Sequence, residues 1–480
     1  MTDPLRLAFA EVHRSRPRAL VSPFGRVHRP GPLHLVPGAR TDLGSAPPAP
    51  FWAVTADVAR IDPGAGVALG VAGPGGSVLL RRAPDGDRWL VEVSGVVVCS
   101  APLPPEPAHR VAVVGNENQV TVLTAPAGSS DEGSWRPLVT EREAVRRVLD
   151  LRRADVLAGL RFVVEADGTG TVELADLLAG SFGAAGVRDP QVVTTTDGRP
   201  LVRDGRLLLT MTCAGLGFFQ QAHWGVWALD PADPGSLEQV GELFSRRDGL
   251  VLGDHAGHVV VDEDTGVATV LVSTWGDHDP GRGVHVRAVR TTADVLLGTH
   301  VLGTERVDLP TEVSAWDPTL ARVGGRWHLG FVECPSFGPP RYEFHPALAA
   351  TDDPDPLRGL RRVGGDPGRS QTEGTVWQRF GDGWYLLASD GDARTYPVYD
   401  AQLRERGLLQ APYGTNIPHP MVVPAAGAWW VVTFDGTPWG DDVLGYGTHG
   451  DLVVMRADPP GRPSLRARAG AVRRRLTRGA

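Results

Sequence analysis

From Phe51 to about Leu177 the apolar positions come in short runs broken by Gly, Pro or Asp, among them Phe51-Trp52-Ala53-Val54, Val67-Ala68-Leu69-Gly70-Val71, Trp89-Leu90-Val91-Glu92-Val93 and Val111-Ala112-Val113-Val114. Runs this short, rich in β-branched residues and bounded by turn formers, predict the strands of an antiparallel sandwich of jelly-roll or concanavalin type. One stretch departs from that pattern. Between Glu141 and Leu157 the residues Val145, Val148, Leu149 and Leu151 are spaced to face inward from a helix.

From about Gly183 the pattern becomes a repeat, in which a polar residue and a Pro or Gly lead an apolar strand, a glycine turn and a second, aromatic-rich strand. The copies are Asp189-Pro190-Gln191-Val192-Val193, Asp317-Pro318-Thr319-Leu320, Glu373-Gly374-Thr375-Val376-Trp377 and His419-Pro420-Met421-Val422-Val423, with a fainter one at Gly257-His258-Val259-Val260-Val261. Each predicts a β-hairpin, and five repeated hairpins predict the blades of a propeller, whose equivalent positions converge on one axis. The expected fold is all-β: an N-terminal antiparallel β-sandwich (residues 46–180) followed by a five-bladed β-propeller (181–463). An extended segment (1–45) precedes them and a basic tail (464–480) follows.

A chain of 480 residues with a formal charge of -8 has ample length for two cores, and its charge is spread rather than blocked, which argues against nucleic acid as a partner. All 48 basic residues are arginine, so their number says little about binding. Cys99, Cys213 and Cys334 are too far apart for a metal site and odd in number for a disulfide framework. No apolar run reaches the ~18 residues of a membrane span, and residues 1–30 lack the apolar core of a signal peptide. The expectation is a soluble, cytoplasmic protein with no membrane partner.

The repeat brings Asp189, Asp317, Glu373 and His419 toward one point. Several carboxylates in one pocket suit glycosidic cleavage, which needs a protonated acid at the leaving oxygen and an ionised base or nucleophile across the sugar ring. A third carboxylate keeps the acid protonated by like-charge repulsion. Trp316 and Trp377 flank these groups and are expected to stack on sugar faces, as are Phe218, Phe219, Trp275, Tyr342 and Trp439 in loops. Arg188, Arg394, His258 and Glu333 complete the expected substrate-binding set.

The phrases Arg188-Asp189-Pro190, Trp316-Asp317-Pro318 and Thr372-Glu373-Gly374 resemble those of glycoside hydrolase family 43, five-bladed propellers acting mainly on arabinosides and xylosides. The resemblance implies Asp189 as the general base, Asp317 as the residue that tunes and orients the acid, and Glu373 as the general acid of an inverting reaction. It implies an oligosaccharide or glycoside substrate and no required cofactor. It also implies a calcium ion in the channel, with the imidazole of His449, in Gly447-Thr448-His449-Gly450, beside it. Two alternatives stay open. Arg188-Asp189-Pro190 with Glu333-Cys334-Pro335 resembles the invertase and levanase families, where the glutamate is the acid of a retaining or glycosyl-transferring reaction. The second is a propeller that binds carbohydrate without turning it over.

Overall fold

The computed structural model describes residues 3–458 apart from 26, 84–85, 105, 107, 339–340, 426 and 438–449. Its described residues form seven β-sheets and only short helices. None of these helices is long and apolar enough to cross a membrane.

Two sheets lie within residues 19–184 and close on a common core. One is built on the long strands Phe51–Ile61 and Val172–Ala184, flanked by His109–Asn116, Gln119–Pro126 and Arg136–Glu141. The other runs Arg40–Ser45, Arg161–Gly168, Ala65–Gly73, Gly76–Arg82, Arg88–Val93 and Val96–Pro102. Their inward residues, including Trp52, Val54, Leu69, Trp89, Val113 and Phe162, are fully buried together, as the alternation of the strands requires. The helix expected over 141–157 is instead two short ones, Glu143–Val148 and Ala154–Leu157. Local polar bonds interrupt it. The Leu151 amide donates to Asn118 Oδ1 (2.7 Å) and Asn118 Nδ2 donates to Asp150 (3.0 Å), so the chain between the two helices is tied to a strand turn.

The other five sheets come in chain order, each an antiparallel meander. Their leading strands are Val187–Val192, His255–Asp262, Ser314–Val323, Thr372–Phe380 and Met421–Ala425. The first touches the second, the second the third, and so on round to the fifth, whose leading strand touches the first again, so the five close into a ring. These strands are buried on both faces, which explains why they read as apolar runs rather than as alternations. Each second strand carries the aromatic residues, such as Trp384 and Trp430, that pack between neighbouring sheets.

Residues 1–45 are less separate than their composition suggests. Ala10–Ser15 adds to the last sheet by pairing with Asp451–Ala457, while Ala19–Val21, Leu33–Leu35 and Arg40–Ser45 join the two-sheet unit. The two parts of the molecule share a core as well, since Leu216, Phe244 and Val251 of the ring pack into the apolar cluster of the first two sheets.

The N-terminal strand is anchored by Leu7 and Phe9, buried among Phe380, Tyr396, Val431 and Val453. We expect Leu7→Ala to lower the unfolding free energy by about 2–5 kcal/mol in a urea titration, the usual result of emptying a fully buried leucine site. An unchanged midpoint would mean that this segment does not dock.

Candidate functional site

Four of the five leading strands carry the same irregularity near their start, an extra pair of residues opposite the partner strand. The bulge spans 189–190, 256–257, 317–318 and 374–375. Its first residue takes a left-handed backbone in every copy: Asp189 (φ 50°), Ala256 (φ 54°), Asp317 (φ 49°) and Gly374 (φ 69°). Bulges re-aim side chains, and aspartate and glycine are among the residues that tolerate this region best. A Cβ on Gly374 would stand only 2.3 Å from the His419 ring, so the fourth copy has no room for a side chain there.

The shared bulge corrects the register expected from sequence. Glu373 does not occupy the position of Asp189 and Asp317 but the one before it, equivalent to Arg188, His255 and Trp316. Its neighbour Gly374 takes the aspartate position and donates its amide to Asp317 Oδ2 (2.9 Å). The two sets of positions therefore interlock across the third and fourth sheets: Trp316 Nε1–H donates to Glu373 Oε2 at 3.1 Å.

His419 stands between the aspartates, with Nε2 3.6 Å from Asp189 Oδ1 and 3.5 Å from Asp317 Oδ2. Thr212 donates its hydroxyl to Asp189 Oδ2 (2.7 Å), and Arg188 Nε lies 3.9 Å from Asp189 Oδ1 with its guanidinium over the Phe434 ring. These surroundings push the carboxyl groups apart. Burial would raise Asp189, but His419, the Arg188 charge and the Thr212 hydroxyl hold it below the usual carboxylate range. Burial and the charges of Glu373 and Asp189 push Asp317 well above that range. Burial and the Asp189 charge bring Glu373 up to about 7, against the opposing influence of Arg188 and Trp316. Burial holds His419 down to about 4, so its imidazole is neutral at neutral pH.

The cluster forms the floor of a cavity of about 540 Å3, within the size range of small-molecule sites. Among the described residues its lining also includes Phe218, Phe219, Trp275, His278, Trp316, Tyr342 and Phe344, with Arg341, Gln371 and Asn416. Five of these were not distinguishable in the sequence: His278, Arg341, Phe344, Gln371 and Asn416 lie outside the repeated phrase. Gln371 stands two residues before Glu373, and that closeness was the only signal it gave.

Four residues expected at the site lie elsewhere. Trp377 is buried between the third and fourth sheets against Leu348, Leu386 and Tyr399, because it points to the opposite side of its strand from the bulge. His258 accepts from the Leu320 amide (3.1 Å) and contacts Thr194 Oγ1 (3.2 Å), tying sheets together. Glu333 is paired with Arg362 and with His345 and opens on a separate crevice with Thr311 and Pro335, which holds its carboxyl near about 2. Arg394 donates to the carbonyls of Tyr413 (3.3 Å) and Gly414 (3.0 Å). His449 and Trp439 lie outside the described residues.

The axis below the cluster does not suit a calcium ion, which needs six to eight free oxygen ligands. The carbonyls that face it, Pro318 O and Thr375 O, both accept from the Gln191 amide (3.4 and 3.2 Å). Among the described residues no group of three or more His, Cys, Asp and Glu side chains is arranged to hold a metal.

No family model matches the chain, and no curated protein does. Solved structures do. A family 43 β-xylosidase/α-arabinofuranosidase from a compost microbial metagenome, in complex with xylotriose, is similar over 57% of this chain and 91% of its own, at 14% identity and a TM-score of 0.39. An α-L-arabinanase from Penicillium chrysogenum complexed with arabinobiose covers 89% of this chain and 98% of its own, at 13% identity and a TM-score of 0.36. An inulosucrase from Halalkalicoccus jeotgali bound to kestose covers 57% and 85%, at 12% identity and a TM-score of 0.43.

A glutamate raised from 4.5 to about 7 in the folded protein makes folding less favourable as pH climbs through that interval. Its stabilising contribution is complete below about 4.5, where the unfolded chain also carries the proton, and is lost above 7. Glu373→Gln keeps an acceptor for Trp316 and removes the charge. We expect the variant to gain on the order of 2–3 kcal/mol over the native protein at pH 8, and the gain to vanish near pH 4.5. Chemical denaturation at the two pH values checks this; an equal difference at both would remove Glu373 as the titrating group.

Proposed function

We propose that the closed ring of sheets is a five-bladed β-propeller joined to an N-terminal β-sandwich. In this reading the protein is a glycoside hydrolase that cleaves a pentose-containing glycoside, an arabinofuranoside or a xyloside, by single displacement with inversion. The observation that carries the reading is the opposed behaviour of two carboxyl groups in one cavity. Glu373 keeps its proton to about neutral pH while Asp189 gives its proton up early, and such a pair divides acid and base roles.

Glu373 is the general acid. Trp316 occupies Oε2, so the proton resides on Oε1, from which it passes to the glycosidic oxygen as the bond to the anomeric carbon breaks. Asp189 is the general base: it takes a proton from the water that attacks the opposite face of that carbon. Asp317, the most strongly raised of the three, acts on Glu373 by charge and holds Gly374, the next residue, through its amide. The neutral His419 separates the aspartates and fixes their carboxyl planes. Exchange with solvent then returns a proton to Glu373 and removes one from Asp189. The ion pairs of Glu333 with Arg362 and His345 weigh against it as the acid of a retaining reaction.

The test is sugar release from arabinofuranosides, xylosides, galactosides and fructosides, with the anomer of the first product read by NMR. We expect inverted product, and about 10²–10⁴-fold losses in Glu373→Gln and Asp189→Asn. A folded protein that binds oligosaccharide but turns none over would favour the binding propeller, a reading the Arg188 charge beside Asp189 supports. In the active enzyme kcat/KM should decline as pH rises through about 7, where Glu373 loses its proton. Trp316→Phe removes a donor that favours the Glu373 anion, so it should move that limb to higher pH. A limb that moves down, or stays, would contradict the assignment of the acid.

A further inference from the structure

The cavity has two unlike sides. Its floor is charged, whereas one wall is a continuous row of aromatic rings. The row begins at Trp316, whose indole holds Glu373. Trp316 meets Trp275 with ring centroids 5.4 Å apart, Trp275 stacks on Phe219 at 4.7 Å, and Phe219 adjoins Phe218 at 4.1 Å. Phe337 stands alongside, 6.2 Å from Trp316 and 5.6 Å from His278. Phe218, at the outer end, is 49% exposed. A half-exposed phenylalanine at the open end of an aromatic row is an apolar surface without a cover.

The end of the cavity served by this wall follows from the acid. Glu373 must lie beside the leaving oxygen, and Trp316 lies against Glu373, so the row starts where the leaving group starts. A second sugar placed there would bring a belt of hydroxyls that need partners once buried. Among the described residues the row offers as hydrogen-bonding side-chain groups only the Trp275 indole and the His278 imidazole, Trp316 being already engaged. The nearby Gln220 amide is spent on the His278 carbonyl (2.8 Å). A planar aromatic group needs no such partners and gains from offset and edge-on ring contacts.

We propose that the leaving-group side of the cavity receives a flat aromatic aglycone, so that the substrate is a glycoside of an aromatic alcohol or phenol rather than an internal linkage of a polysaccharide. This rests on the hydrolase reading. The bond cleaved is the one between the anomeric carbon and the aglycone oxygen; that oxygen takes the proton of Glu373, and water supplies the hydroxyl of the released sugar.

The experiment compares three leaving groups on one glycone, for arabinofuranosides and xylosides of both anomers: methyl, 2-naphthylmethyl and a second pentose. All three leave as alkoxides of ordinary alcohols, so the comparison reports binding rather than leaving-group acidity. We expect kcat/KM for the 2-naphthylmethyl glycoside to exceed that for the disaccharide by about tenfold or more. Phe218→Ala and Phe337→Ala should each cut the ratio of 2-naphthylmethyl to methyl glycoside by a similar factor. A disaccharide preferred or equal, or a ratio unmoved in both variants, overturns the proposal. If no glycoside is turned over, the hydrolase reading fails, and the wall is tested alone by titrating 2-naphthylmethanol against tryptophan fluorescence. Saturable quenching that weakens in Phe218→Ala upholds an aromatic-binding wall; no quenching overturns it.

Discussion

Like charges forced together away from water are the constraint on which the rest of the site depends. Three carboxyl groups, those of Asp189, Asp317 and Glu373, share a floor with only one nearby guanidinium, Arg188, and a histidine that burial keeps neutral. They cannot all be ionised. The least costly arrangement leaves the negative charge where Arg188 and Thr212 support it, on Asp189, and protons on the others. The division of labour proposed for acid and base is the chemical use of that electrostatic compromise.

The backbone bears part of the cost. Two aspartates are held in a left-handed conformation, of the order of 1 kcal/mol or more each, and the ring of sheets enforces it because every leading strand is buried on both sides and cannot straighten. Gly374 shows the limit of the design. Its position repeats that of the aspartates, but His419 fills the space a side chain would need, and the carboxylate of that sheet is supplied one residue earlier. The polar groups on the axis are tied by Gln191 and His258 to neighbouring sheets, so the cluster above them rests on a network of satisfied hydrogen bonds.

Much of this was legible in the repeated phrase, because a polar residue, a Pro or Gly and an apolar run are what a bulge at the head of a doubly buried strand demands. The phrase located Asp189, Asp317, Glu373 and His419. It misjudged the register of Glu373, since the bulge shifts the aim of a side chain by one residue and leaves no trace in the alternation. Trp377 and His258 were misplaced for the same reason: an aromatic or imidazole beside a carboxylate in sequence points to the other face of a strand. The single helix over 141–157 failed because Asn118, distant in sequence, captures its middle. Arg341, Asn416 and His278 come from loops whose shape the strand pattern does not encode.

The claim at the centre of this account is that the floor of the cavity holds carboxyl protons at neutral pH. Infrared difference spectra of the native protein against Glu373→Gln, recorded from pH 5 to pH 9, observe it directly through the carbonyl stretch of a protonated carboxyl group. The account requires a band that is lost with a midpoint near 7 and is absent from the variant. A native spectrum with every carboxyl group already ionised at pH 5 would contradict it.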